Sequence, residues 1–234
     1  MRAAIIPARG GSKRLPRKNV LPVLGQPMLA YPIKAALSSG MFDRVCVSTE
    51  DHEIGQAALN AGAELIQRPE ELAQDRSTVV QVCRHALELM KKDGAFPEFF
   101  CCLYATAVFI TPEDLVRSFQ LFLQEPAPDV VMGVSEFNLH PVQALEEKDG
   151  FLYPKWPEYI GMQSQFHPRL VASNGTFYWA RANSFVLNPS FYPAKLRGYT
   201  IPKLRAIDMD TEDDLKLARL VAAQMELQAK EITQ

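Results

Sequence analysis

The sequence predicts an α/β fold: a mostly parallel, doubly wound, Rossmann-like sheet with helices on both faces. Three observations carry that expectation. Short apolar runs alternate with amphipathic stretches along most of the chain. Several of those runs, such as Phe99 to Tyr104, show no polar alternation, as expected where both faces of a sheet are covered. The length of 234 residues, 47% hydrophobic and 22% charged, supplies one generous domain with a real core.

The elements follow in order. Ala3 to Ile6 form a first strand that feeds the glycine-containing loop Pro7-Ala-Arg-Gly-Gly. A helix follows, starting near Pro32, with Leu29, Ile33, Ala36 and Leu37 on one face and Gly40 near its end. Arg44 to Thr49 form a second strand, Asp51 caps a helix running to about Ala61, and Glu64 to Gln67 form a short third strand. Val79, Val80, Cys83, Ala86, Leu87 and Met90 keep the helical period better than any other segment. Thr111-Pro112-Glu113-Asp114 places a cap, a first-turn proline and a third-position acid ahead of Leu115, Phe119 and Phe122. Val130 to Val134 form another buried strand. From about Ser135 to Trp179 prolines and aromatics break the rhythm, which predicts an inserted arm at about 135–175 within one domain spanning 1–234. The chain returns through Gly175 to Ala180 and a strand at Leu204 to Ile207, and ends in a helix after Thr211.

Composition excludes several classes. The net charge of −2 leaves no global basic surface for unspecific nucleic-acid binding. No apolar run approaches the roughly 18 residues of a membrane span. The opening apolar run is too short for a secretory segment, so a cytoplasmic protein is expected. Cys46, Cys83, Cys101 and Cys102 show neither C-x-x-C spacing nor a dense framework, and the four histidines are scattered without metal spacing.

Chemistry concentrates in two places. Arg2, Arg9, Lys13, Arg14, Arg17 and Lys18 crowd into the first 18 residues of a slightly acidic chain. The loop Ala8-Arg9-Gly10-Gly11-Ser12-Lys13 lies just past the carboxyl end of the first strand, where open α/β sheets bind ligands. Glycines admit an anion close to backbone N–H groups, and the cations supply countercharge for a polyphosphate. Neither G-x-x-x-x-G-K-[ST] nor G-x-G-x-x-G is present, which excludes a P-loop NTPase and the usual dinucleotide site. Near the other end, Asp208 and Asp210 are two apart; in extended chain both carboxylates point the same way, as hard ligands for Mg²⁺ bridging phosphate oxygens. Asp213 and Asp214 belong instead to the capping box of Thr211. The pair of features suggests nucleotidyl transfer, in which a substrate hydroxyl attacks an α-phosphorus.

The run Ile6-Pro-Ala-Arg-Gly-Gly-Ser-Lys-Arg-Leu-Pro-Arg-Lys-Asn19 closely resembles the opening signature of the acylneuraminate cytidylyltransferases, which make CMP-activated nonulosonic acids. The match continues through Leu24-Gly25-Gln26-Pro27, Val45 to Asp51 and Arg68-Pro69-Glu70-Glu71-Leu72-Ala73, and closes with Ile207 to Asp213. Cys101 to Ala107 looks like the pseudaminic acid branch rather than the sialic acid branch. The resemblance implies transfer of CMP from CTP to the anomeric hydroxyl of a nine-carbon keto-acid sugar, with Mg²⁺, in a homodimer that exchanges the irregular arm. It implies that Arg9, Lys13 and Lys18 contact the CTP phosphates, that Asn19 and Arg68 help to hold the nucleotide, and that Asp208 and Asp210 ligate the metal. A hydroxyl contact would come from Ser77 or Thr78, or be missing. Thr106, Gln163, Gln165, Arg169, Phe177 and Tyr178 are the candidates facing the sugar; Gln163 stands where relatives often carry an arginine for the sugar carboxylate. The alternatives are N-acetylneuraminate or legionaminate as acceptor, a Kdo or isoprenoid-polyol cytidylyltransferase, and more remotely a D-x-D glycosyltransferase.

Overall fold

The structure, a computed structural model, describes residues 1–232. The chain runs β1 (Arg2–Pro7), β2 (Pro22–Val23), β3 (Gln26–Pro27), α1 (Ala30–Ser38), β4 (Arg44–Thr49), α2 (His52–Asn60), β5 (Glu64–Gln67), α3 (Val79–Lys92) and β6 (Phe99–Leu103). It continues through α4 (Pro112–Phe122), β7 (Val130–Glu136), β8 (Leu145–Lys148), β9 (Phe151–Pro154), β10 (Val171–Arg181), α5 (Ala182–Leu187), β11 (Leu196–Thr200) and α6 (Glu212–Ile232).

Seven strands make the central sheet in the order β11-β7-β10-β6-β1-β4-β5. β10 runs antiparallel to both of its neighbours, and the other six share one direction. Strand alternation divides the core in two. Ala4, Ile6, Cys101 and Leu103 face α1, α2 and α4, whereas Ala3, Ile5, Phe100 and Cys102 face α3 and α5. A third cluster joins Met209, Leu215 and Ala218 to Leu15, Val23, Met28 and Phe109, and so docks α6 beside the loop that follows β1.

Three expectations are corrected. The arm is shorter than 135–175, because the last of those residues belong to β10, which is inserted between β6 and β7. Trp179, further along β10, is fully buried, stacks on Phe42 and donates its indole N–H to Ser118 Oγ at 3.0 Å. Leu204 to Ile207 form no strand. The returning strand is β11, ended by Pro202, after which Lys203 to Arg205 make a single 3₁₀ turn that leaves Leu204 71% exposed. Leu37 does not join the buried face of α1; it is exposed at the helix end.

What lies outside the sheet in the arm is the hairpin β8–β9 and short 3₁₀ turns. Within β10 the register slips between Ser173 and Tyr178, so Asn174-Gly175-Thr176 bulge opposite Gly133. Gly175 takes φ +63°, and a Cβ there would stand 3.9 Å from Asp208 Oδ1, which brings the bulge to the acidic pair.

Candidate active site

A cavity of about 280 Å³ opens at the carboxyl ends of β1 and β6, where the connections leave the sheet in opposite directions. Arg9, Ser12, Lys13, Arg14 and Lys18 line one side, Arg68, Asp75 and Ser77 another, and Tyr104, Ala105 and Thr106 a third, with Asp210 at the rim. Parallel pairing of β1 with β4 and β6 is what brings chain segments 60 to 200 residues apart onto one opening.

The loop after β1 is held by more than its glycines. Ala8 is buried and donates its N–H to Ser48 O at 3.0 Å. Gly10 N–H is already given to Glu50 Oε1 at 2.7 Å, and Ser12 N–H to Gly10 O at 3.0 Å. Ala8, Gly10 and Gly11 are not among the residues that line the cavity. The N–H groups of Ala8, Gly10 and Ser12, expected beside the nucleotide together with Gly11, hold the loop itself in this structure. Gly10 is needed for a different reason, since a Cβ there would sit 2.6 Å from Asp51 Oδ2. Asp51 caps α2 by accepting from Ile54 N, and it also takes the Arg17 guanidinium, which together with that backbone bond keeps its carboxyl below the usual range. Asn19, buried, donates to Arg9 O at 2.9 Å and so staples the two ends of the loop.

The basic cluster of the first 18 residues therefore divides. Arg2 lies at the far end of β1 with its guanidinium over Phe119, and Arg17 is spent on Asp51 and Glu53. Arg9, Lys13, Arg14 and Lys18 remain for the cavity. Arg9 meets Asp75 at 2.9 Å, and Lys13 pairs with the same carboxylate, which they hold below its ordinary pKa, Lys13 first. Arg14 reaches Asp210 at 2.6 Å and Lys18 reaches it at 3.3 Å. Arg68 is only 3% exposed; it donates to Ser48 O at 2.5 Å and lies 3.8 Å from Glu50 Oε2. Burial pushes the Arg68 pKa down, the cost of placing a cation on the cavity floor.

Asp208 and Asp210 flank Met209, which is buried in the third cluster; the segment is not the extended chain expected, because Asp210 N–H bonds Asp208 O at 3.2 Å. Asp208 is exposed on its outer side, yet desolvation and then the charge of Asp210 raise its carboxyl pKa. Among the described residues no group of three or more His, Cys, Asp and Glu forms a self-sufficient metal cage. Two carboxylates fit Mg²⁺ nevertheless, because that ion keeps few protein ligands and completes its shell with phosphate oxygens and water. Asp208, with Asp210 held by Arg14 and Lys18, is the donor set such an ion would meet.

Other expected contacts are not brought together. Of Ser77 and Thr78, the two candidates for a hydroxyl contact, Thr78 is the N-cap of α3, accepting from Gln81 N. Ser77 lines the cavity while donating its hydroxyl to Glu71 O. Phe177 is buried among Val131, Trp179 and other core side chains, and Tyr178 is stacked on Phe191 with its hydroxyl against Ser173; both are core residues of β10 rather than open contacts for a sugar. Gln163, Gln165 and Arg169 lie in the exposed arm and are not among the residues that line the cavity, and Gln165 donates to Gln163 Oε1. Thr106 does face the cavity. Asp75, Glu50, Arg14 and Tyr104 were not singled out as contacts from sequence. Arg14 carries a signal as part of the basic cluster, and Glu50 and Tyr104 fall within the matched runs Val45 to Asp51 and Cys101 to Ala107, whereas Asp75 lies in no motif.

Comparison with known proteins bears on this site. A solved CMP:2-keto-3-deoxy-manno-octonic acid synthetase complexed with CTP has a TM-score of 0.70 at 20% identity, over 96% of this chain and 99% of that chain. The two chains thus share a fold. A pseudaminic acid cytidylyltransferase from Campylobacter jejuni is 30% identical over 222 residues, covering 93% of this chain and 94% of that protein. A CMP-N,N'-diacetyllegionaminic acid synthase from Legionella pneumophila is 29% identical over 218 residues, covering 92% and 93%. The model of the family described as cytidylyltransferase matches residues 3–149. The chain belongs to the cytidylyltransferase family, and it is an enzyme that transfers cytidylyl groups. That membership sets the D-x-D glycosyltransferase reading aside.

Proposed function

We propose that this enzyme transfers CMP from CTP to the anomeric hydroxyl of a nine-carbon nonulosonic acid, pseudaminic acid first among the candidates, with release of pyrophosphate. The observation that carries the reading is the convergence of Arg9, Lys13, Arg14 and Lys18 with Asp210 on one cavity at the ends of β1 and β6. The relatives named for pseudaminic and legionaminic acids support the sugar class.

In this reading Arg9 and Lys13 take the triphosphate, and Lys18 sits between the phosphates and Asp210. Arg68, fixed by Ser48, holds the nucleotide side of the cavity. Thr106 faces the acceptor. Asp208 and Asp210 would hold Mg²⁺, which when bound neutralises phosphate charge and orients its oxygens. The chain's own cations align the α-phosphorus with the attacking hydroxyl and stabilise the charge that grows on the leaving pyrophosphate. We read residues 1–234 as one catalytic unit working in the cytoplasm, where nucleoside triphosphates are held. A homodimer is part of the proposal: the arm leaves Leu139, Phe151 and Phe166 at 82%, 68% and 68% exposure, an apolar surface that a second copy would cover.

The test is pyrophosphate release from CTP with Mg²⁺ and pseudaminic, legionaminic, N-acetylneuraminic and Kdo acids, UTP serving as control. Release with pseudaminic acid and CTP alone is the expected result. Release with another acid moves the acceptor assignment, and no binding of CTP at all would overturn the site.

A further inference from the structure

Asp75 stands inside the cavity that the proposed function assigns to CTP phosphates, and the role inferred for it rests on that reading. Its carboxylate meets Arg9 Nη1 at 2.9 Å with one oxygen and pairs with Lys13 through the other. Those are two of the cations assigned to the triphosphate. They come from the loop after β1, whereas Asp75 comes from the segment between β5 and α3, on the opposite lip.

The acid is not delivered by a loose side chain. Ser77 N–H bonds Gln74 O at 2.9 Å, Ser77 Oγ donates to Glu71 O at 3.0 Å, and Ala73 N–H bonds Glu70 O at 3.0 Å, so the turn carrying Asp75 is pinned on both sides. A carboxylate bridging two cations presents two anionic oxygens to them, as one phosphoryl group would.

We propose that Asp75 is an internal competitor for the polyphosphate subsite. It keeps Arg9 and Lys13 together in the free enzyme, gives them up to the triphosphate of CTP, and takes them back as pyrophosphate departs. The cations therefore exchange one anion for another and are never left unpaired, and the enzyme binds the product that it must shed each turnover less tightly than its basic loop would allow. The side chain is about half exposed, so the competition is modest and screened by salt.

Calorimetric titration with inorganic pyrophosphate tests this on wild type, Asp75→Asn and Asp75→Ser. Glu98→Gln makes the same charge change at the other end of β6. Both Asp75 variants should bind pyrophosphate about three- to fivefold more tightly, the size of an exposed ion pair. The gain should shrink as salt rises, and pyrophosphate should inhibit turnover at lower concentration. Glu98→Gln should match wild type. Equal or weaker binding in both Asp75 variants, with Arg9→Ala still losing pyrophosphate, would overturn the competition and leave the site intact. Failure of wild type to bind either pyrophosphate or CTP would remove the site and this inference together. An equal gain in Glu98→Gln would reduce the effect to net charge and also overturn it.

Discussion

Two carboxylates separated by one residue live in different surroundings. Asp210 is held between Arg14 at 2.6 Å and Lys18 at 3.3 Å, whereas Asp208 carries the raised pKa that burial and its neighbour's charge impose. Removing Asp210 frees two cations and takes away half of the proposed metal site, while Met209 keeps the backbone anchored in the core. Asp210→Ala should therefore lower kcat/KM by at least about a hundredfold, roughly 2.7 kcal/mol, with an unchanged unfolding midpoint. Retention of normal turnover in a folded variant would take Asp210 out of the chemistry. At this scale the sequence was informative where charges cluster. It showed Arg9, Lys13, Lys18 and Asp210 but not Asp75 or Glu50, because an acid's partner across a cleft leaves no trace in local spacing. Nor could it show that Gly10 spends its N–H on Glu50, since a glycine that makes room for Asp51 and one that makes room for phosphate read alike.

Among the elements, the start of α4 carries the sharpest energetic statement. Thr111 and Asp114 form a reciprocal capping box, and the buried Asp114 also accepts from Arg205 and from Tyr199 at 3.0 Å. Burial alone would push the Asp114 pKa up; its bonds to Arg205 and Thr111 outweigh this and hold it below its ordinary value. A carboxyl depressed on folding contributes stability that is complete above its unfolded pKa and lost as pH falls through the folded one. Asp114→Asn should thus cost about 2 kcal/mol near neutral pH, and the gap to wild type in urea titrations should narrow between about pH 5 and pH 3. A gap that stays constant across that range would deny the charged pair its role. Capping was legible here and at Asp51 because it is chemistry within four residues. The same rule explains Thr78, whose place before Val79 fitted a cap as well as a hydroxyl contact, and whose side chain the helix took. The first residues of β10 are not legible as strand because Asn174-Gly175-Thr176 breaks its alternation, and only the pairing with Gly133 reveals the bulge.

For the whole molecule, the arm and the sheet pose the remaining question. The exposed side chains of Leu139, Phe151, Ile160 and Phe166 all fall in the stretch between β7 and β10. On the proposed homodimer, sedimentation equilibrium should give twice the 26.2 kDa chain mass, and Phe151→Asp combined with Phe166→Asp should give the monomer. A wild-type monomer at micromolar concentration would remove the dimer from the proposal. The sequence by itself determined the α/β class, the strands and helices up to β7 apart from the short β2 and β3, the basic loop and the acidic pair. Each of these is written in periodicity, caps or charge over fewer than about twenty neighbouring residues. The tertiary structure alone decided that β10 runs against its neighbours in the middle of the sheet, that Phe177 and Tyr178 belong to the core, and that Asp75 faces Arg9 and Lys13. Those facts depend on contacts between segments far apart in the chain, whose energies exist only once the sheet has brought their ends to one opening.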